Sequence, residues 1–352
     1  MSQTTANQAQ AGRVWNRYRD NSCRHLLGVA NYLQTSIMHT LQTQYGHNHL
    51  RLGFTPYISL IGGRGRRLTD IAQILGISRQ ACNQAVNPIE AAGYIARNAD
   101  LSDGRAKNLF LTPKGVKLRR DGTRIVTRLD KEFAAITGGA AIADASKSLG
   151  RIYRQLALGP TQQRVPRTAD VGMGALLPAL ADYILQRLME LTRDKGHQGL
   201  QLRFGQVLTL IGPSGGRIQQ IAAVHDVSKQ AISVIATELE ALGYLQRDAD
   251  PLDARQIVLN FTRHGDQLIA DSVSSVVEME QEFVAIIGQA ALKRMNATLQ
   301  QLYYGLQLEQ DIFEKNGSSD ISVLAHQLQQ QLGQQGSQAL ARLLLTPHVN
   351  AR

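Results

Sequence analysis

Residues 90 to 105 read "EAAGYIARNADLSDGR", and residues 240 to 255 read "EALGYLQRDADPLDAR". The offset of 150 holds without a gap over much of the chain. "LIGGRGRRLTDIAQILGISRQA" (60 to 81) lies over "LIGPSGGRIQQIAAVHDVSKQA" (210 to 231), and Gly46 and His47 lie over Gly196 and His197. Between residues 51–115 and 201–265, 24 of 65 positions are identical. Solenoid repeats run about 20–50 residues, so a period this long is that of a whole domain. The expectation is one domain duplicated in tandem.

A length of 352 residues agrees with two domains. Apolar residues make up 43%, enough for real cores, and the net charge of +10 favours a polyanionic partner over an acidic substrate. The two cysteines, Cys23 and Cys82, occupy non-equivalent positions of the repeat. That argues against a disulfide framework and for a reducing compartment. The opening "MSQTTANQAQAG" lacks the apolar core of a signal peptide, and no run of about 18 apolar residues exists to span a membrane. A cytoplasmic protein with no membrane contact is expected.

Each half opens with a long amphipathic pattern, "HLLGVANYLQTSIMHTL" (25 to 41) and "ALLPALADYILQRLMEL" (175 to 191). A short second helix ends near Gly62 or Gly212, and a third reads "LTDIAQIL" or "IQQIAAVH". Ser78 and Ser228 stand where the next helix needs an N-cap, and Gly93 and Gly243 where a left-handed residue ends it. Two short helices joined by a tight turn form a helix-turn-helix. In its second helix Ala81, Ala85 and Ile89 are assigned to the core, and Pro88 is expected to kink it. "YIAR" with "NLFLT", and "YLQR" with "IVLNFT", read as hairpins. Thr112 and Pro113, like Thr262, open a further helix, and two helical patterns close each half, broken at Gly138 and Gly139 or at Gly288. The class is mainly α with small β-wings: two tandem winged helix-turn-helix domains with flanking helices. They span 1–157 and 173–310, joined by a linker at 158–172 and followed by a glutamine-rich tail at 311–352.

"ISRQA", "AAGYIAR" and "DLSDGRAKNLFLTPKG" resemble the MarR family of bacterial transcription regulators, and "VSKQAISVIATELEALGYLQRDADPLDARQIVLNFTRHG" resembles it more closely. The specific signature is Asp-x-Arg, then an alternating strand and Thr-x-x-Gly. It occurs as Asp103, Gly104, Arg105 and again as Asp253, Ala254, Arg255. The resemblance covers nearly all of residues 20–307 and leaves out the tail. Family members are usually homodimers whose first and last two helices form the dimer body. The resemblance therefore implies a monomer that is an intramolecular pseudo-dimer, binding double-stranded DNA with both half-site readers in one chain.

The N-terminal residues of a helix in the major groove reach base edges. In the first half the candidates are Ser78, Arg79, Gln80, Asn83, Gln84 and Asn87; in the second they are Ser228, Lys229, Gln230, Ser233, Val234 and Thr237. Asparagine and glutamine suit adenine edges, whereas valine and the threonine methyl suit thymine methyls, so two unlike half-sites are expected. The resemblance places Arg105 and Arg255 in the minor groove, held by Asp103 and Asp253; narrow A·T-rich grooves draw in arginine. Over 62–117 nine Lys/Arg stand against four Asp/Glu, a net of +5, and over 212–267 five stand against seven, a net of −2.

The resemblance also implies a repressor released by a small, often phenolic, effector bound between the dimer body and the winged domain. His25, Tyr32, His47 and Tyr57, with Tyr183 and His197, are the candidate lining residues. Two alternatives stand beside it. Cys23, followed by Arg24 and His25, could be a thiolate in a redox sensor; or a partly decayed DNA face could make the chain a protein-interaction module, as the acidic second half allows. No cofactor, metal-ligand spacing or catalytic motif is found, so no enzyme is expected.

Overall fold

The computed structural model describes residues 12–61, 65–99, 107–158, 171–212, 215–225, 227–250 and 256–308. The greater part of the linker, both wing tips and the glutamine-rich tail lie outside the described residues. Two compact units are formed, one from residues up to 198 together with 270–308, the other from 199–269. Packing rather than the repeat boundary divides them. The first unit takes the first winged module and the long helices of both halves; the second takes the other winged module.

In the first unit α1 (12–19) precedes α2 (Ser22–Thr43). Asn21 caps α2, its side chain accepting from the Arg24 amide at 2.9 Å. The winged module follows as α3 (Thr55–Ile61), β1 (Arg66–Arg67), α4 (Leu68–Ile74), α5 (Arg79–Ala91), β2 (Ile95–Ala99) and β3 (Lys107–Leu111). Then come α6 (Pro113–Thr137), α7 (Gly139–Gln155) and α8 (Met173–Asp194). Gly138, at φ 89°, ends α6 and caps α7, a backbone angle an L side chain would strain. The second unit contains α9 (Gly205–Leu208), β4 (Gly216–Arg217), α10 (Ile218–His225), α11 (Lys229–Ala241), β5 (Leu245–Ala249) and β6 (Ile257–Phe261). After these α12 (Arg263–Ile287) and α13 (Gln289–Gly305) close the described chain.

The second series repeats the first in order and nearly in length. Helices α2 and α8 both have 22 residues, α5 and α11 13, α6 and α12 25, α7 and α13 17. The exception is α9, with four residues against seven in α3. Helix α2 packs on α6, α8 and α13, and α7 packs on α8 and α13. Leu26, Val29 and Leu33 of α2 are buried with Leu149 and Ile152 of α7, Leu177 and Leu180 of α8, and Leu299 and Leu302 of α13. Burying each such side chain contributes about 1.5–3 kcal/mol, so the interdigitated helices are a main source of stability. The polar contacts recur at the period of the repeat. Arg151 of α7 donates to the Ile286 carbonyl at 2.8 Å, and Gln301 of α13 donates to the Ile136 carbonyl at 3.1 Å. The acceptors Asp130 and Glu280 are also 150 apart, though their donors are not equivalent: the Gly174 amide donates to Asp130 at 2.9 Å, and the Ser22 hydroxyl to Glu280 at 2.5 Å.

Each wing is a three-stranded antiparallel sheet, β1-β3-β2 and β4-β6-β5, rather than the expected hairpin alone. The added strands are two residues long and show no alternation to read. A shared device joins wing to long helix. Thr112 accepts from the Gly115 amide and Thr262 from the Gly265 amide, each at 3.1 Å. The Tyr94 and Tyr244 carbonyls lie so close to Gly115 and Gly265 that a Cβ on either glycine would overlap them. The Thr-x-x-Gly spacing thus combines an N-cap with a position where only glycine fits.

One local expectation changes. The buried face of α5 is Cys82, Val86 and Ile89; Ala81 is exposed and Ala85 half-buried. An i, i+4, i+7 stripe follows the 3.6-residue turn, whereas 81, 85 and 89 drift off it. Pro88 does not end or shorten α5, which continues until the Ala92 amide reaches the Pro88 carbonyl at 3.0 Å. Its missing N–H lies in the last turn and costs a single bond.

Candidate nucleic-acid interface

Ser78 accepts from the Ala81 amide and Ser228 from the Ala231 amide, each at 3.1 Å, so both recognition helices begin as the sequence requires. Ser78, Arg79, Gln80, Asn83, Gln84 and Asn87 are all exposed on α5. On α11, Ser228, Lys229, Gln230 and Thr237 are exposed, Ser233 is half-buried, and Val234 is 56% exposed. Lys229 donates to Gln219 of α10 at 2.9 Å. Asp103, Arg105, Asp253 and Arg255 lie outside the described residues.

The wing strands add residues that sequence reasoning missed. Arg97 of β2 pairs with Glu90, and its Nη2 donates to Asn87 Oδ1 at 2.7 Å and Asn83 Oδ1 at 3.1 Å. Arg247 of β5 stands 150 positions later. It pairs with Glu240 at 3.2 Å, and its Nη2 donates to Thr237 Oγ1 and to the Ser233 carbonyl, each at 3.0 Å. Each arginine spans the inner end of its recognition helix and fixes two candidate base-contacting side chains. The only sequence signal was the recurrence of arginine at the same strand position.

The candidate effector residues lie in a range of local surroundings. His25 is buried, 2.8 Å from Asp20 Oδ1 and with its ring 4.9 Å from that of Tyr303. Tyr32 is half-buried 6.3 Å from the Phe133 ring. Tyr57 is half-buried, and desolvation raises its phenol pKa, with a smaller contribution from Cys82. Tyr183 donates to Glu282 at 3.3 Å. His47 Nε2 lies 3.0 Å from Asp121 Oδ2, and His197 Nε2 lies 3.1 Å from Asp271 Oδ2. Burial alone would raise the Asp121 carboxyl, but the hydrogen bonds from Lys117 and His47 outweigh it and hold it below the usual range. These His–Asp pairs fasten the turn after α2 or α8 to α6 or α12.

Cys23 does not fit the thiolate of a redox sensor. It is buried, and burial, then the Glu280 carboxylate, pushes its thiol up to about 12. Arg24 and His25 do not offset this. Among the described residues no group of three or more His, Cys, Asp or Glu is placed to hold a metal. No helix there is long and apolar enough to cross a membrane.

A helix-turn-helix backed by a three-stranded wing defines a winged-helix protein. The MarR family model matches residues 56–106, from α3 to the wing of the first module. A putative transcriptional regulatory protein for the hcr operon of Thauera aromatica is 27% identical over 100 residues. That match covers 28% of this chain and 60% of the relative, so the chain spans under two thirds of that protein's length. A MarR-family regulator from Rhodococcus sp. RHA1 is 24% identical, covering 38% of this chain and 93% of its own, with a TM-score of 0.31. The Staphylococcus aureus MepR F27L mutant bound to an oligodeoxyribonucleotide is 22% identical, covering 36% and 97%, with a TM-score of 0.25. Residues 56–106 are thus similar to MarR-family sequences.

Proposed function

We propose that this chain is a sequence-specific DNA-binding transcription regulator, acting as a single-chain pseudo-dimer on an operator with two unlike half-sites. The observation that carries this is the face of α5: six polar or charged side chains, all exposed, following a capped helix start in a module of net charge +5. The family match over that module and the likeness to a curated transcriptional regulator agree with it. Contacts that recur at the 150-residue period, Arg151 to Ile286 and Gln301 to Ile136, support the pseudo-dimer.

The base preference differs from the one expected of free asparagines. A bidentate contact to adenine needs the amide both to accept and to donate. Arg97 draws the Asn83 and Asn87 oxygens toward the wing, leaving their N–H groups as donors for guanine O6 and N7 or thymine O4. Repression relieved by a small aromatic effector is the regulatory form of the proposal. Arg105 and Arg255 are its minor-groove contacts.

Selection of bound duplexes from a random library with the full chain, repeated in rising salt and with phenolic acids added, is the test. Enrichment of one bipartite, non-palindromic site is expected. Binding no tighter to the selected pool than to random duplex at about 0.15 M salt would overturn the proposal. A second reading rests on the second module, with its net charge of −2 and exposed Val234 and Ile257: a surface that binds protein instead of DNA. Under that reading Lys229→Ala and Gln230→Ala leave the selected site unchanged.

A further inference from the structure

In a two-fold assembly a side chain at the axis faces its own copy, so a charged residue there meets its like. Residues 144 and 294 stand 150 positions apart, the period of the repeat, and they touch. Arg294 Nε donates to Asp144 Oδ2 at 2.8 Å, and Nη2 lies 3.5 Å from Oδ1. Asp144 is on α7 and Arg294 on α13, two helices that pack together within one unit. The same two helices carry Arg151 and Gln301, whose bonds to the Ile286 and Ile136 carbonyls are exchanged by the same offset. A pair that maps onto itself, among pairs that map onto each other, marks the local axis. Identical halves would set Asp against Asp there, or Arg against Arg.

Resting on the single-chain pseudo-dimer described above, we propose that Asp144 and Arg294 form a pairing code: first half against second is favoured, and either half against its own kind from another chain is repelled. The chemistry is attraction in one arrangement and like-charge contact in the two others. The side chains are 41% and 59% exposed, so solvent and salt screen the pair. The code therefore adds little to stability and works as a difference between arrangements. Lys147 on the same helix lowers the Asp144 carboxyl along with Arg294, and its counterpart is the neutral Ala297. Lys147 softens an Asp–Asp contact and worsens an Arg–Arg one, so the two charge reversals are unequal.

The test uses full-length chains carrying two different labels, mixed in denaturant and refolded together. The inter-chain fraction and melting temperature are measured for wild type, Asp144→Arg, Arg294→Asp and the double reversal. Wild type is expected to refold as single chains. Each single reversal should lower the melting temperature and raise the inter-chain fraction about two- to five-fold at low salt, Asp144→Arg more than Arg294→Asp. Both effects should shrink in about 1 M salt, and the double reversal should return toward wild type. A single-chain wild type with reversals indistinguishable from it overturns the code and leaves the pseudo-dimer standing. A wild type that refolds mainly as two-chain complexes overturns both.

Discussion

Arg97 Nη2 lies 2.7 Å from Asn87 Oδ1, joining the wing to the inner end of the recognition helix. With Asn83 and Glu90 on the same guanidinium, one strand residue sets the rotamers of three helix side chains. Replacing Arg97 with alanine is expected to remove about 1 kcal/mol of stability while broadening base preference in the first half-site. Arg97→Lys, which keeps the charge but not the fork, should restore stability more than selectivity. Thermal melting and site selection on the same preparations distinguish the two effects.

Salt should separate the modules. Arg79→Ala is expected to flatten the slope of log affinity against log salt by about one unit, the value for one lost phosphate contact. The matching Lys229→Ala should do less, since Lys229 is already bonded to Gln219. Titrations at four or five salt concentrations measure both slopes, and equal changes would count against a dominant first module.

Acid should release the Asp121 clasp. Its folded carboxyl titrates below the ordinary value of 3.8. Its stabilisation is therefore complete above that value and is lost as the pH falls below it. Asp121→Asn is expected to cost about 1–3 kcal/mol at neutral pH, and the deficit should narrow toward pH 3. Asp271→Asn should cost less, because its side chain is 20% exposed against 2% for Asp121. Denaturant curves at pH 7 and pH 3 decide this.

Cys23 should behave as an inert core residue. With its thiol near 12 and its side chain buried, alkylation at neutral pH is expected only on unfolding, and peroxide should leave DNA binding unchanged. Mass spectrometry of native protein held with iodoacetamide gives the answer; prompt labelling of Cys23 would reopen the redox alternative.

Where a feature depends on neighbours in sequence, it was readable in advance. The serine and threonine caps and the helix breaks at Gly138 and Gly288 are local, and the structure has them at those positions. Alanine is nearly indifferent to burial, so Ala81 and Ala85 do not mark the buried face of α5, which Cys82, Val86 and Ile89 form. Arg97 escaped notice because its partners lie 7 to 14 positions earlier on another element, and strand alternation says nothing about them. The carboxylate partners of His47 and His197 lie 74 residues away on another helix, where no local pattern points to them.

The packing of α2 and α7 against α13 has a consequence for how the protein survives dilution. Paired chains come apart as concentration falls, and their folded state falls with it. Under the single-chain proposal the helices that need one another share a backbone, so their association is first order. A cell holding only a handful of copies would keep each of them whole, and a substitution in one half would be tried once, without its echo in the other.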